Sequence, residues 1–356
     1  MLFVIYCLFL SGCAKGWQGR MYTDGGVEVT ENTGRSIYGD RFAEILELRE
    51  TLILGQEKVS EEYTFYSTPL LTVDDNLNIY VFDRKESHLR KYDRNGTFLW
   101  QTGRSGQGPG EFQFADDLAL DGDGSIFILD RHIAVHEFDT KGAFKRTLNL
   151  DRRCWNLDVL PDGRLFLNLF LEGRHGVSSY FYSSEGLPLE PFREEYTYAS
   201  YAQGQGGISP DKARRLLDGH IFFSLPDQYE IRKYTIDGTL KRIIRRSLLL
   251  DPFNIRQEAG RKFISVKDRS GPCYLWREGI LINVMTRSRG SSALREWRMD
   301  FFDRDGRFIG SSLLPDYRFL NAVDQEGNLY FVESLPYPRI IRCETNLVPF
   351  TKAKSE

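Results

Sequence analysis

Short runs in which apolar and polar residues alternate, each ended by a turn rich in Asp, Asn and Gly, recur along most of the chain. Alternation with a period of two is the pattern of a strand, and Asp-Gly or Asn-Gly turns join strands into hairpins. One unit, an apolar pair, a polar turn and a second apolar run, occupies Thr72–Asp83, Ala119–Asp130, Asp158–Leu167 and Leu216–Phe223. Weaker copies are Trp276–Asn283 and Ala322–Val332. The first apolar residue after each turn is Ile79, Ile126, Leu165, Ile221, Ile280 or Leu329, at intervals of 47, 39, 56, 59 and 49. A second hairpin follows most copies, at Leu89–Gly96, Val135–Gly142, Tyr180–Gly186, Ile231–Gly238 and Met299–Gly306. Two hairpins per repeat make a four-stranded sheet, the blade of a β-propeller, and six copies predict six blades.

The sixth copy is short of its last strand, because little chain follows Ile340–Glu344. An orphan strand pattern, Ile45–Leu54, precedes the first copy. It is expected to pair beside Arg339–Glu344 and close the ring, which removes a free sheet edge. The arm Ser209–Leu217 has a helix-like start in Ser209 and Pro210, but the repeat makes its end a strand. One short helix is expected within 251–266.

Composition agrees with an all-β body: 25 Phe, 18 Tyr and 32 Gly stand beside 4 Met, and aromatics with frequent Gly suit strands and turns. Hydrophobic residues make up 41% and charged residues 27%, with 47 Lys+Arg against 50 Asp+Glu and a net charge of −3. That balance argues against a nucleic-acid partner. The one continuous apolar stretch, Leu2–Leu10, is far short of the roughly 18–20 residues of a spanning helix.

Leu2–Leu10 instead reads as the apolar core of an export signal. Leu10-Ser11-Gly12-Cys13 then resembles a bacterial lipobox, and the resemblance implies cleavage before Cys13, with acyl chains on its sulfur and its new amino group. No Lys or Arg precedes the apolar run, which implies a start codon further upstream. Several acyl chains anchor stably where one alone does not. The expected organisation is a signal over 1–12, lipidated Cys13 and a flexible tether over 13–41, the propeller over 42–350 and a tail over 351–356. Ala14 is not an acidic retention residue, so the expected location is the cell envelope, at the outer membrane and facing the periplasm. Cys154, Cys273 and Cys343 lack metal-site spacing and read as buried thiols, with one bridging pair as the alternative.

Gly103–Phe112, following Arg90–Leu99, is similar to the linker of NHL-type six-bladed β-propellers, and the likeness continues through Phe127–Arg131 and Phe138-Asp139. Trp297–Gly310 resembles the late blades of exported bacterial members. The resemblance covers roughly 45–345 and implies the fold rather than an activity. Blades three and four depart most, with an insertion across Tyr196–Gly207.

Candidate chemistry is sparse. Gly103-x-x-Gly106-x-Gly108-Pro-Gly110 lacks the Lys-Ser/Thr and the helix of a phosphate loop, so it reads as a crossover in which Glu111 accepts backbone N–H groups and Phe112 packs between blades. Of His88, His132, His136, His175 and His220, only His132 and His136 share a strand parity, and four residues along a strand is about 13 Å, too far for one metal. The turn aspartates Asp74, Asp121 and Asp123 are accounted for by turn chemistry without calcium. Asp83-Arg84 and Asp130-Arg131 leave second strands at one end of the ring, where Asn168, Asn283 and Glu333 hold comparable places and Tyr229 and Arg339 begin third strands. The expected ligand-binding set is therefore Arg84, Arg131, Asn168, Tyr229, Asn283, Glu333 and Arg339, with no metal and no cofactor. The expected function is a monomeric, lipid-anchored binding or scaffold protein that docks a peptide, glycan or partner protein. A metal-assisted lyase or lactonase at the channel mouth is the alternative.

Overall fold

The computed structural model describes residues 16–39, 42, 46–56, 60–170, 176–197, 214–225, 228–248, 253–258, 261–266, 269–288, 295–315 and 318–345. They form an all-β, six-bladed propeller. Blade one is Leu70–Val73, Ile79–Asp83, His88–Tyr92 and Phe98–Thr102, and blade two is Ala115–Leu120, Ile126–Asp130, Ala134–Phe138 and Phe144–Asn149. Blade three is Cys154–Val159, Leu165–Phe170, Gly176–Tyr182 and Pro188–Thr197, and blade four is Arg214–Leu217, His220–Leu225, Glu230–Thr235 and Leu240–Arg246. Blade five is Arg269–Trp276, Ile280–Ser288, Arg295–Phe302 and Phe308–Leu314. Blade six is Arg318–Val323, Leu329–Glu333 and Arg339–Thr345, completed by Leu48–Leu54, which pairs antiparallel with Arg339–Thr345. Ring closure by the N-terminal strand is as expected.

The first strands of neighbouring blades touch one another around the ring and so line the channel. Second strands are buried on both faces, which is why they read as continuous apolar runs. Ile79 and Val81 pack toward blade six, whereas Tyr80 and Phe82 pack toward blade two. In blade two, Ile126 and Ile128 face blade one, and Phe127 and Leu129 face blade three. Each of the six blade–blade interfaces thus holds its own apolar cluster. The crossover after blade one behaves as expected: Glu111 Oε2 accepts the Gly108 N–H at 2.8 Å. Phe112 is wholly buried, 4.8 Å from the Phe82 ring and 5.8 Å from Phe138. Gly103 and Gly110 hold positive φ in that crossover (86° and 71°), a backbone state that side chains disfavour. Cys154, Cys273 and Cys343 are buried free thiols.

Three expectations are corrected. The segment 253–266 contains no helix among its described residues; Phe253–Glu258 and Arg261–Val266 pair as an antiparallel hairpin between blades four and five. His132 does not share a strand with His136, because the third strand of blade two starts at Ala134 and His132 sits before it with φ 62°. The third correction concerns the expected tether. Gly19–Asp24 and Val27–Asn32 form a hairpin, and Val27–Asn32 adds in parallel to the outer strand of blade four, Arg242 opposite Glu28 through Arg246 opposite Asn32.

From that hairpin the chain runs along the outer rim as a strap. Asn32 is buried and fully used: Oδ1 accepts from Trp17 Nε1 (2.8 Å) and the Phe308 N–H (2.7 Å), while Nδ2 donates to the carbonyls of Arg245 and Gly306, both at 3.0 Å. Ile37 N–H then donates to Phe308 O at 2.9 Å, on the outer strand of blade five. Phe42 seals the strap against Phe301, with ring centroids 5.0 Å apart. Residues 13 and 351–356 lie outside the described residues, so Cys13 has no structural description.

Candidate functional site

Antiparallel pairing puts the linkers and the loops between second and third strands at one end of the ring. The turns within hairpins lie at the other end. At the loop end, the recurrent aspartates hold the incoming linker. Asp83 accepts the Tyr66 N–H at 2.6 Å and the Ser67 hydroxyl at 2.8 Å. Asp130 does the same job one blade on, accepting the N–H groups of Phe114 (2.7 Å) and Gln113 (3.2 Å). Buried carboxylates that satisfy otherwise orphaned backbone donors are structural fixtures.

The arginines that follow them diverge. Arg84 reaches into blade two, where Nε donates to Ala115 O at 2.8 Å and a terminal nitrogen to Asp116 O at 3.1 Å. Arg131 stays local, with Nε 3.5 Å from Asp130 and its side chain 54% exposed. Arg84→Ala is therefore expected to lower unfolding free energy by about 1.5–3 kcal/mol, the range for hydrogen bonds from a charged donor. Arg131→Ala should change it by less than about 0.5 kcal/mol, as exposed positions do. Urea unfolding of the two variants measures the difference; an Arg84 loss as small as that of Arg131 would show that the strut between blades contributes nothing.

Asn168, Tyr229, Asn283 and Glu333 do not form an open surface because they are buried, and the partly exposed Arg339 is tied to Glu333. Asn168 lies within blade three, 1% exposed, accepting from Ser179 Oγ at 2.6 Å. Asn283 is wholly buried, donating to Ser270 Oγ at 2.8 Å and to Tyr229 Oη at 3.3 Å. Tyr229 in turn donates to Asp300, and burial, then the neighbouring Asp300 charge, drives its phenol well above the ordinary tyrosine range. Glu333 binds Arg339, whose guanidinium also lies over the Tyr337 ring, 5.7 Å from its centre. Asn168 thus ties strands within blade three, Tyr229 and Asn283 bind blades four and five together, and Glu333 with Arg339 ties the strands of blade six.

A carboxylate–imidazole pair does occupy the loop end. Asp116 Oδ2 accepts the His132 N–H at 2.6 Å, and His132 Nδ1 lies 3.2 Å from Asp116 Oδ1 and 3.1 Å from Cys154 O. Burial pushes the Asp116 carboxyl up to about 6. Burial also lowers the His132 imidazole, helped by the Arg153 charge. The pair does not activate the adjacent thiol: Cys154 is enclosed, and burial raises it far above the ordinary range. Among the described residues no group of three or more His, Cys, Asp or Glu side chains is arranged to hold a metal ion.

The turn end is different. There a cavity of about 530 Å³ opens where the first strands of blades one to four end. Its lining includes Asp74, Asp75, Asp121, Asp123, Asp158 and Asp218, against one cation, Lys91. Three of the six carboxylates are partly committed. Asp74 accepts the N–H groups of Asn76 (2.9 Å) and Asn78 (2.8 Å), with Lys91 Nζ 3.8 Å away. Asp121 accepts those of Asp123 (3.0 Å) and Ser125 (2.7 Å). Asp158 reaches across to the next blade, accepting the Leu216 N–H at 3.1 Å. Asp75, Asp123 and Asp218 are exposed, and among the described residues they make no salt bridge. Turn chemistry thus explains Asp74 and Asp121 as expected, but Asp123 joins its turn only through its backbone N–H, and the convergence of four blades' carboxylates on one mouth was not expected. The available signal was the second acidic residue in each turn, Asp75 and Asp123, which the hairpin does not need.

A smaller cavity of about 320 Å³ lies on the same end between blades four and five, lined by Phe222, Leu281, Lys233 and Arg304 among others. Lys233 Nζ stands 5.6 Å from the Phe222 ring centre, and burial, then the Arg242 charge, lowers its ammonium.

A family model described as a six-bladed β-propeller, DUF5128, matches residues 65–185. No match is found among curated proteins. Among solved structures, a protein described as exported from Bacteroides fragilis NCTC 9343 is similar at a TM-score of 0.56 and 12% identity, over 90% of this chain and 100% of the other. A member of the DUF4221 family from Bacteroides vulgatus ATCC 8482 is similar at 0.57 and 11% identity, over 86% of this chain and 100% of the other. At these identities the likeness is one of fold. Blade count, closure and relatives agree that the chain is a six-bladed β-propeller.

Proposed function

We propose that this protein is an exported bacterial docking protein of the NHL-like group, attached to the cell envelope through acylated Cys13, that receives a cationic segment of a peptide or partner protein at its turn-end mouth. The carrying observation is the cavity of about 530 Å³ lined by six aspartates and one lysine. Concave mouths with converging charge are the usual place for ligands, and low-dielectric walls focus the field of the carboxylates. Lys and Arg side chains supply the complementary charge, whereas a neutral glycan gains nothing from it. Export is supported by the Leu2–Cys13 pattern and by the description of the Bacteroides fragilis relative as exported. Among the described residues no helix is long and apolar enough to cross a membrane; in this reading the acyl chains provide attachment.

The test compares wild type with the Asp75→Asn/Asp123→Asn/Asp218→Asn variant in binding a fluorescent Lys-rich peptide and in cross-linking from detergent-solubilised membranes. Exposed aspartates far from the cores should leave thermal stability nearly unchanged, and Asn tolerates the positive φ of Asp218 (47°). Binding at least about 10-fold weaker in the variant, and in wild type falling steeply with salt, is expected. Equal binding by the two proteins would sink the reading.

A further inference from the structure

The strap constrains how the protein sits on its membrane, an inference that rests on the acylated Cys13 reading above. The described residues begin at Gly16, only three positions after Cys13. From there the chain is pinned to the body: Gln18 N–H donates to Arg35 O at 2.9 Å, Thr33 N–H to Gln18 O at 3.0 Å, and Trp17 Nε1 to the buried Asn32 at 2.8 Å. Val27–Asn32 is then bonded along the outer strand of blade four, and Ile37 to that of blade five. Three residues of extended chain span at most about 11 Å. An acylated Cys13 would therefore lie within about 11 Å of Gly16, whatever the path between, and Gly16 sits against the Ser36 and Ile37 carbonyls of the strap on the blade-four and blade-five edge. A chain of this length has a radius of gyration of about 20 Å, so the opposite edge lies far beyond that reach.

We infer that the bilayer carrying the anchor lies against the outer edge of blades four and five, so the propeller stands edge-on with both channel mouths opening sideways. The edge strand there exposes Met21 (46%) and Tyr22 (37%), and the Arg20 guanidinium sits 5.3 Å from the Tyr22 ring centre. Tyr and Arg suit the headgroup layer. Arg20 is paired with Glu31, so charge attraction adds little, and covalent reach decides the placement. Edge-on placement leaves the acidic mouth open to a partner approaching along the membrane rather than facing the lipid.

The experiment uses the full chain, acylated in cells and reconstituted into vesicles of phosphatidylcholine with a nitroxide on the headgroup. A fluorophore is placed through Thr33→Cys, on the strap, or through Leu99→Cys, on the outer strand of blade one across the ring. Both positions are exposed, Cys154, Cys273 and Cys343 are buried, and acylation blocks the Cys13 thiol, so labelling of the acylated protein is selective. Strong quenching at the Thr33 position and little at the Leu99 position is expected. A Gly/Ser spacer of about 20 residues between Ala14 and Lys15, with a reach of about 25 Å, should make the two positions alike. Mass spectrometry reports acylation separately. Acylated protein with equal quenching at both positions, without the spacer, overturns the edge-on placement alone. A chain that is not acylated and does not float with vesicles overturns the anchor reading, and this inference with it.

Discussion

Asp300→Ala should lower the unfolding free energy by about 3–5 kcal/mol, the cost of stripping one partner from a buried charge pair. Asp300 is wholly buried between blades four and five and receives three groups: the Tyr229 hydroxyl, the Ser311 hydroxyl and the Arg246 guanidinium. Arg246 also lies over the Phe308 ring, 3.7 Å from its centre, so its charge cannot turn to water without leaving that contact. Removing the carboxylate strands both the guanidinium and a fully enclosed phenol, whose bond to Asn283 at 3.3 Å is long. Ser311→Ala removes one donor and leaves the charge pair, so about 1 kcal/mol is expected there. Urea denaturation with unchanged m-values measures both. An Asp300→Ala loss below that of Ser311→Ala would show that the pair's desolvation cancels its attraction.

The second large effect lies in the strap. Phe42→Ala should cost about 3–5 kcal/mol, as truncation of buried aromatics does. Phe42 is 1% exposed and belongs to the apolar cluster between blades five and six, although it precedes every blade in sequence. Its seat requires a glycine: a Cβ on Gly310 would lie 2.2 Å from Phe42 Cγ, so the backbone of blade five itself forms the floor. Gly310→Ala should therefore expel the same ring, and the double variant should lose much less than the sum of the two singles. Additive losses would mean that the glycine serves some purpose other than seating Phe42.

The two effects separate what is legible from the linear chain and what is not. Strand positions, turn positions, blade number and the closing partner of Arg339–Thr345 follow from period-two alternation and Asp/Asn-Gly turns, because those signals are local and repeat. The strap was written there too, in Asp24-Gly25-Gly26 between two short alternating runs, but its polar composition reads equally as a linker. What makes it a strand is the open outer edge of blade four, which donates backbone partners from more than 200 residues away. The 253–266 hairpin was missed for a similar reason, since a short segment between blades carries no repeat to fix its type.

The sites divide along the same line. Asp83 and Asp130 were recognisable as a recurrent pair of positions, but whether the arginine after each faces solvent or braces a neighbour depends on where the next blade lies. Arg84 finds the carbonyls of Ala115 and Asp116, whereas the Arg131 side chain, among the described residues, meets only its neighbour Asp130. Asn168, Tyr229 and Asn283 align with rim positions in sequence yet are interior in space, because packed blades enclose the ends of their second strands. Asp75, Asp123 and Asp218 are each unremarkable in their own turn and Asp158 on its strand, and only ring closure gathers them into one mouth. Local periodicity by itself determined the blades and their number, since hydrogen bonding between neighbours in sequence suffices for each, and it left one unmatched strand pattern, Leu48–Leu54, to close the ring beside Arg339–Thr345. The strap along the blade-four edge, the buried Asp300 network and the acidic mouth were decided by tertiary structure alone, because each is made by groups that meet only when distant parts of the chain are set side by side.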